Sequence, residues 1–456
     1  MTSDLPTGQR EEFDSLGTVM VPTNHYWGAQ TQRSLQHFAI DDTRMPIEVY
    51  RAYGYVKKAC AVVNAERLPH ADLIQRVCDE VIAGDLDDEF PLYVWQSGSG
   101  THTNMNVNEV IANRCIELAG GALGSQQPVS PNDHVNMSQS SNDTFPTVMH
   151  VATYTMLVEQ TLPSLRLLRD ALSHKAEQWA DIRKVGRTHL QDATLLTVGQ
   201  EWSGYASALD DAIGDLERAA AELLPVALGG TAVGTGLNAP PDFAAQAVGV
   251  LAELTGYSFV PAPNPFAALA TSDRVVRAHA ALKGVAVTLF KIGNDLRWLG
   301  SGPRAGLAEL RLPANEPGSS IMPGKVNPSQ AEALLMVCTE VMGADVTVQM
   351  CGAEGNFELN TFRPLLVWHC LQSARLLGGM SDHLRRFLVE GADLNRERLQ
   401  RDVENSVMVV TALAPHIGYH EAARIAHRAV AEDLALRDVA LEAGVSPELF
   451  DEVIRA

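Results

Sequence analysis

At 456 residues, with 46% hydrophobic and 20% charged residues, the chain can hold two or three domains with sizeable cores, which excludes disordered and fibrous classes. A formal net charge of −20, with no large cluster of Lys and Arg, excludes nucleic acid as a partner. No apolar run approaches the roughly 18 to 20 residues of a membrane helix, and MTSDLPTGQREEF has no hydrophobic targeting core, so a soluble cytoplasmic protein with no membrane partner is expected.

Residues 1–137 read as a mixed, mostly helical domain, broken by the loops VWQSGSGTHTN (Val94–Asn104) and QQPVSPND (Gln126–Asp133). From 138 to 394 long helices take over. An apolar seam runs through Tyr154, Leu157, Val158, Leu165, Leu168 and Leu172. A second, through Val198, Trp202, Tyr205, Leu209, Ala212, Leu216, Ala219 and Leu223, steps by four and three for more than three heptads. Val275, Leu282, Leu289 and Leu296 recur every seventh position, and further helical runs follow Pro328 and Pro364. The fold class is therefore mainly all-α, with a central bundle of about five long helices and a small helical domain over 395–456. Strand signals are sparse. Apolar stripes wider than one partner would cover predict a homo-oligomer. The six cysteines form no CxxC pair and fall on apolar faces, as reduced core residues and not as zinc or iron–sulfur ligands.

Residues 318–328, GSSIMPGKVNP, crowd two hydroxyls, two prolines, two glycines, a lysine and an asparagine into a stretch that cannot be regular helix or strand. Asn327 as N-cap, Pro328 at the first helical position and Gln330 in a capping-box place predict a helix from Pro328, with Lys325 and Asn327 at its anion-attracting end. The loop suits a small anionic ligand. Three more donor-rich patches share its design: SGSGTHTN (Ser97–Asn104), SQSSNDT (Ser138–Thr144) and GRTHLQD (Gly186–Asp192). The first two are loops running into predicted helices, each a plausible N-terminal anion nest.

GSSIMPGKVNP resembles the signature of the fumarase/aspartase superfamily. GSGTHTNMNVNEVIANR, SQSSNDTFPT, GRTHLQDATLLTVGQE and GNFELNTFRP are similar to the class II fumarases in particular, and the resemblance extends from WGAQTQRS at Trp27 to NRERL and TALAPHIGY. It implies a three-domain lyase fold with a tetrameric helical core and reversible hydration of fumarate to L-malate, without metal or organic cofactor. It also implies active sites shared between subunits, with the mobile loop over 316–328. The alternative is an aspartate ammonia lyase or a related dicarboxylate lyase of the same superfamily. A tetramer that has lost its activity is a rival from another class, but Ser319, His189 and Lys325 are all present.

By the same resemblance Ser319 is the base that takes the C3 proton of malate through an aci-carboxylate carbanion, with its alkoxide stabilised by loop N–H groups and nearby positive charge. Lys325 and Asn327, with Val326 between them, hold the carboxylate whose charge rises. His189 donates a proton through a water, and Glu332 orients its ring. Ser99, Gly100, Thr101, Asn104, Ser140, Ser141, Asn142, Thr188 and Ser320 match positions that bind the two carboxylates. A secondary anion site corresponds to Ser130, Pro131, Asn132 and Asp133. Its usual His is replaced by Ser130 and an Arg by Gln127, so weak binding is expected there. Leu195 stands for a usual proline and His102 for a usual glutamine, with no consequence assigned. Two further motifs are read as structural. GGTAVGTG (Gly229–Gly236) lacks the βαβ context of a dinucleotide site, and His416, His420 and His427 read as a solvated face.

Overall fold

Heptad spacing becomes burial. Val198, Trp202, Tyr205, Leu209, Ala212, Leu216 and Ala219 are all buried on one helix, Val198–Ala221, with Leu223 buried just beyond it. Val275, Leu282, Leu289 and Leu296 are equally buried on Asp273–Leu299. In the third seam Leu157, Leu165, Leu168 and Leu172 are buried, while Tyr154 and Val158 are half-exposed.

The computed structural model describes residues 8–455. In chain order it contains β1 (Gln9–Asp14), β2 (Gly17–Pro22), α1 (Ala29–His37), α2 (Ile47–Val63), α3 (Ala71–Ala83), α4 (Thr101–Leu118), α5 (Ser141–Met156) and α6 (Leu162–Gln178). There follow β3 (Arg183–Thr188), β4 (Gln191–Thr197), α7 (Val198–Ala221), β5 (Pro225–Val226), α8 (Phe243–Thr255), β6 (Val260–Pro261), α9 (Pro265–Ala270) and α10 (Asp273–Leu299). Beyond them lie β7 (Leu310–Arg311), α11 (Ser329–Ala353), α12 (Arg363–Leu384), β8 (Asp393–Leu394), α13 (Arg396–Asn405), α14 (Ala414–Ile417), α15 (Tyr419–Ala431), α16 (Leu436–Glu442) and α17 (Pro447–Arg455). The fold is mainly helical, as expected. A π-helical turn at Leu157–Thr161 joins α5 to α6, so the long helical runs are α5–α6, α7, α10, α11 and α12.

The chain divides into two compact units. The first takes residues up to Pro163 with Ile213–Val287 and Cys338–Gly379. Its α2 packs on α3, α5 and α8, and Tyr50 stacks on Phe90 with ring centroids 4.4 Å apart. Deep in it Asp345 accepts hydrogen bonds from His279 Nδ1 at 3.0 Å and from Lys283 Nζ and Gln349 Nε2 at 2.5 Å, while His279 Nε2 meets Ser373 Oγ at 2.9 Å. The second takes Ser164–Ala212, Thr288–Val337 and Met380 onward. Here Trp179 meets Trp202 edge-on, and Lys184 Nζ lies 2.7 Å from both Glu201 and Glu309. The C-terminal helices close a small core of their own around Leu413, Ile425, Leu436 and Ala440.

Strands are sparse, as expected, and two other expectations need correction. Among the strands, β1 pairs with β2, and β3 with β4, as antiparallel hairpins. The second hairpin escapes notice because its two-residue turn is His189–Leu190, with φ of 57° and 62°, where Asn-Gly is the usual signal. Next, α11 begins at Ser329, not Pro328, because the Asn327 amide donates to Gly318 O at 2.6 Å and so folds back on the loop. Finally, α11 is long and apolar enough by length and composition to cross a membrane, with a mean hydropathy of 1.4 over its best 18 residues. One face of it is buried through Leu334, Cys338, Val341 and Val348, whereas Met336, Val346 and Met350 are each more than 60% exposed. All six cysteines are buried and unpaired.

Burial alone would raise the Asp345 carboxyl, but hydrogen bonds from Lys283, His279 and Gln349 outweigh it and hold the group below the usual range. A depressed carboxyl stabilises the fold above its unfolded pKa and loses that contribution as pH falls through the lower folded value. Urea titrations should therefore show Asp345→Ala destabilised by about 3 kcal/mol at pH 7, with a flatter loss of stability than the parent below about pH 4. Parallel acid profiles for the two proteins would remove this assignment.

Candidate active site

In the first unit two helices begin against each other. Gly100, at φ 80°, ends the SGSG loop and starts α4 at Thr101, and Ser140 caps α5 in a capping box completed by Asp143. A chain of hydroxyls joins the two starts, from Ser97 Oγ to Ser99 Oγ at 3.2 Å, on to Thr101 Oγ1 at 2.7 Å and on to Ser141 Oγ at 2.7 Å. Thr101 and Thr103 N–H on α4 donate to Ser99 Oγ and Gln96 Oε1, and Asn142 N–H on α5 donates to Ser140 Oγ, while the positive dipole ends of both helices still meet at one point, an arrangement that favours an anion. Ser99, Thr101 and Ser141 are thus brought together, with Gly100 and Ser140 as the backbone joints.

Buried groups hold this meeting in place. The α2 residue Lys57 is 1% exposed and donates to Asn104 Oδ1 and Gln139 Oε1 at 2.8 Å and to Asn136 Oδ1 at 3.2 Å. Asn104 in turn donates to Asn136 Oδ1 at 3.1 Å, so both ends of its amide are engaged inside the fold. Asp143 Oδ2 accepts the N–H groups of Gly229 and Thr231 at 2.9 Å each, and Asn142 Nδ2 donates to Ala232 O at 2.9 Å. GGTAVGTG therefore braces the start of α5. The fully buried Arg363 donates to Asn142 O and Leu269 O, and its N–H reaches Gly98 O at 3.1 Å. Gly98 packs so tightly that a Cβ would fall 1.4 Å from Thr361 O.

In the second unit the 318–328 loop closes on itself. Gly318 N–H donates to Lys325 O at 3.1 Å, and Ser319 Oγ accepts the N–H groups of Ile321 and Met322 at 3.2 and 3.1 Å. Ser319 and Asn327 are half-buried, whereas Ser320, Lys325 and Val326 are exposed, as is Glu332 in the first turn of α11. Thr188 and His189 sit exposed at the β3–β4 turn. Positive φ is tolerable for His but costly for Leu190, and such strain gathers where a side chain must be presented. Among the described residues no hydrogen bond joins His189 to Glu332 within one chain.

Ser130 uses both its polar groups locally: its N–H donates to His134 Nδ1 at 2.8 Å, and its hydroxyl accepts from Asp133 N–H at 3.2 Å. Pro131 is buried in the π-helical turn that follows, and Asn132 and Asp133 face solvent. His102, pushed down by burial, sits between Ser34 Oγ, 3.1 Å from its Nδ1, and the ring of Phe38. Leu195 packs against the C-terminal core. His416, His420 and His427 are exposed, and among the described residues no three His, Cys, Asp or Glu side chains are grouped to hold a metal. Lys57, Asp143 and Arg363 went unnoticed in the sequence. The Ser140-x-x-Asp143 spacing was the available signal for one of them, and nothing local marks a buried lysine.

Comparison with known proteins places these features in a family. The model of a lyase family matches residues 17–343, and that of a fumarase C C-terminus matches 409–456. The "Fumarate hydratase class II" of Methanosarcina acetivorans is 57% identical, covering 99% of this chain and 95% of its own, and that of Thermosynechococcus vestitus is 56% identical, covering 99% and 98%. The crystal structure of a recombinant class II fumarase from Schistosoma mansoni superposes with a TM-score of 0.95 at 41% identity, covering 98% of each chain.

Burial pushes the Lys57 ammonium down to about 8. Since the unfolded lysine holds its proton to a higher pH, the buried charge costs stability below about pH 8 and that cost disappears as pH rises toward 10.5. Lys57→Met takes a donor from three buried amide oxygens, of which Asn104 Oδ1 and Asn136 Oδ1 keep others in Thr144, Asn104 and Asn108 while Gln139 Oε1 keeps none, and should lower stability at pH 7 by on the order of 1–3 kcal/mol. Thermal melts from pH 7 to 10 should show the parent gaining stability relative to the variant; a constant difference would mean that Lys57 does not titrate there.

Proposed function

We infer the reaction from kinship, because the chain belongs to the class II fumarate hydratases: it hydrates fumarate reversibly to L-malate. At residue level the observation that carries this reading is Ser319, whose oxygen already accepts two backbone N–H groups. A serine is a weak base, and such donors stabilise an alkoxide before any proton moves. In the dehydration direction Ser319 takes the C3 proton of malate. The adjacent carboxylate then carries the charge as an aci-carboxylate, facing Lys325 and Asn327 beside Val326. His189, oriented by Glu332, protonates the departing C2 hydroxyl through a water.

The other carboxylate rests on the hydroxyl chain and helix N-termini at Ser99, Gly100, Thr101, Ser140, Ser141 and Asn142, with Asn104 set by Lys57 and with Thr188 and Ser320 completing the ring. Neutral donors arranged for a dianion penalise a substrate with one carboxylate, because several stay unpaired. The working form is a homotetramer in the cytoplasm, with each site assembled from different subunits and no cofactor. The exposed Met336, Val346 and Met350 on α11, with Val287 and Trp298 on α10, support it, since such apolar faces ask for cover by other copies. Three domains, over 1–137, 138–394 and 395–456, complete the proposal. The full-length relatives are named for fumarate hydration, which disfavours an ammonia lyase.

Ser319→Ala should keep the oligomer by gel filtration and lose about 10²–10⁴-fold in kcat for fumarate; unchanged turnover would remove Ser319 as the base. The kcat/KM for fumarate should exceed that for crotonate by at least about 10³-fold, and a ratio near one would contradict the dianion cradle. Following the fumarate absorbance with and without ammonium separates hydration from amine addition.

A further inference from the structure

We propose that the first unit binds inorganic phosphate in a cavity at the N-terminus of α10, separate from the hydroxyl chain at Thr101 and Ser141. The cavity measures about 260 Å³ and is lined by His150, Asn264, Ser272, Asp273, Arg274 and Arg277, among others. His150 lies nine residues along α5 from Ser141, roughly 13 Å at helical rise, so one helix reaches both places without merging them.

Ser272 departs from the usual behaviour of its position. It sits immediately before Asp273, the first residue of a 27-residue helix, where a serine ordinarily turns its hydroxyl onto an N–H of the first turn. Here it does not. Ser272 is 4% exposed, yet its Oγ has no hydrogen-bond partner. Among the described residues the N–H groups of Asp273 and Arg274 find no acceptor either. A buried hydroxyl left open costs stability unless something fills its place, and beside two open N–H groups at a positive helix end that something is an oxyanion.

Arg274 adds charge. Its Nη1 donates to Pro225 O at 3.0 Å, and among the described residues it pairs with no carboxylate. Arg277 is shared with Glu222, 2.5 Å from its Nε, and contributes less. The exposed Asp273 is the opposing charge at the rim.

His150 decides which oxyanion. Its Nδ1 lies 2.9 Å from Leu223 O and 3.0 Å from Pro225 O, both acceptors, so Nδ1 carries the hydrogen. Burial, aided by Arg274, pushes the imidazolium down to about 4, so at neutral pH Nε2 offers a lone pair. The cavity therefore combines several donors with one built-in acceptor. Sulfate has no hydrogen to give that acceptor, whereas hydrogen phosphate keeps one P–OH at neutral pH. The geometry selects the protonated tetrahedral anion.

Calorimetric titration of the full-length protein at pH 7 tests this, with saturating malate present to occupy the catalytic cradle. Inorganic phosphate should bind at one site per chain, at least tenfold tighter than sulfate. Arg274→Gln and Ser272→Ala should each weaken phosphate at least tenfold while melting normally and hydrating fumarate within about twofold of the parent. If Ser272→Ala or Arg274→Gln fails to fold, His150→Leu, which offers no acceptor, should abolish the preference for phosphate over sulfate. No binding at about 10 mM phosphate, loss of binding on adding malate, equal affinity for sulfate, or unaltered affinity in the variants would each overturn the site.

Discussion

Two helix starts held hydroxyl to hydroxyl, Thr101 on α4 and Ser141 on α5, impose the constraint that the first unit is built to meet. Each carries roughly half a positive charge at its end, so their meeting is unfavourable until negative charge arrives. The fold supplies part of it permanently in Asp143, whose carboxyl burial raises to about 6 and which accepts the N–H groups of Ser140, Thr231 and Gly229. What remains is an outward deficit of negative charge, which is the place the proposed reaction gives to a substrate carboxylate. Preorganisation of this kind costs stability in the empty protein and needs a rigid surround. Lys57 and Arg363 provide that surround from inside, where neither can swing toward solvent.

Several polar residues in the same motifs serve the frame. Glu109, 5% exposed in the middle of α4, accepts the N–H groups of Gly28, Gln30 and Thr31 and the Thr31 hydroxyl at 2.6–3.1 Å. It thereby caps α1 from a distance, a task left open because Gly28 has no side chain to cap with. Asn113 joins the same scaffold, donating to Glu12 Oε1 at 2.8 Å and Tyr26 O at 2.9 Å. WGAQTQRS and NEVIANR are thus two halves of one capping arrangement, and it fixes the direction in which α4 points its Thr101 end.

What was legible in the sequence follows from how far each interaction reaches along the chain. Heptad seams are local, and their burial came out position by position in α7 and α10. Gly- and Ser-rich patches before apolar runs are also local, and they proved to be the starts of α4 and α5. The β3–β4 hairpin was hidden because His189–Leu190 adopts a turn that its residue types disfavour. Lys57 was hidden for another reason: its partners lie 47, 79 and 82 residues away, so no spacing betrays it. Asn327 misled because its amide, whose oxygen would have to accept from the first turn of α11 to cap it, is turned to the loop by its Nδ2 donating to Gly318 O.

A protein of net charge −20 that handles a dianion faces repulsion at distance and must win at contact. Screening shortens the first problem, since beyond about 8 Å the field of exposed carboxylates is largely damped at physiological salt. Close in, the answer takes two forms. The first unit offers neutral hydroxyls at Ser99, Thr101 and Ser141, which on the proposed reading act by geometry at contact and not by a large positive charge. The second relies on a loop whose polar geometry is internal: Ser319 is braced by Ile321 and Met322, and Gly318 by Lys325 and Asn327. Because those bonds lie within the loop, Ser319 owes its two donors to no contact outside it, which suits the role of base proposed for it. Rigidity in the nest and self-sufficiency in the loop are therefore two separate local solutions, each complete within its own unit, and the proposed reaction asks for both: a fixed place to receive charge and a group able to create it.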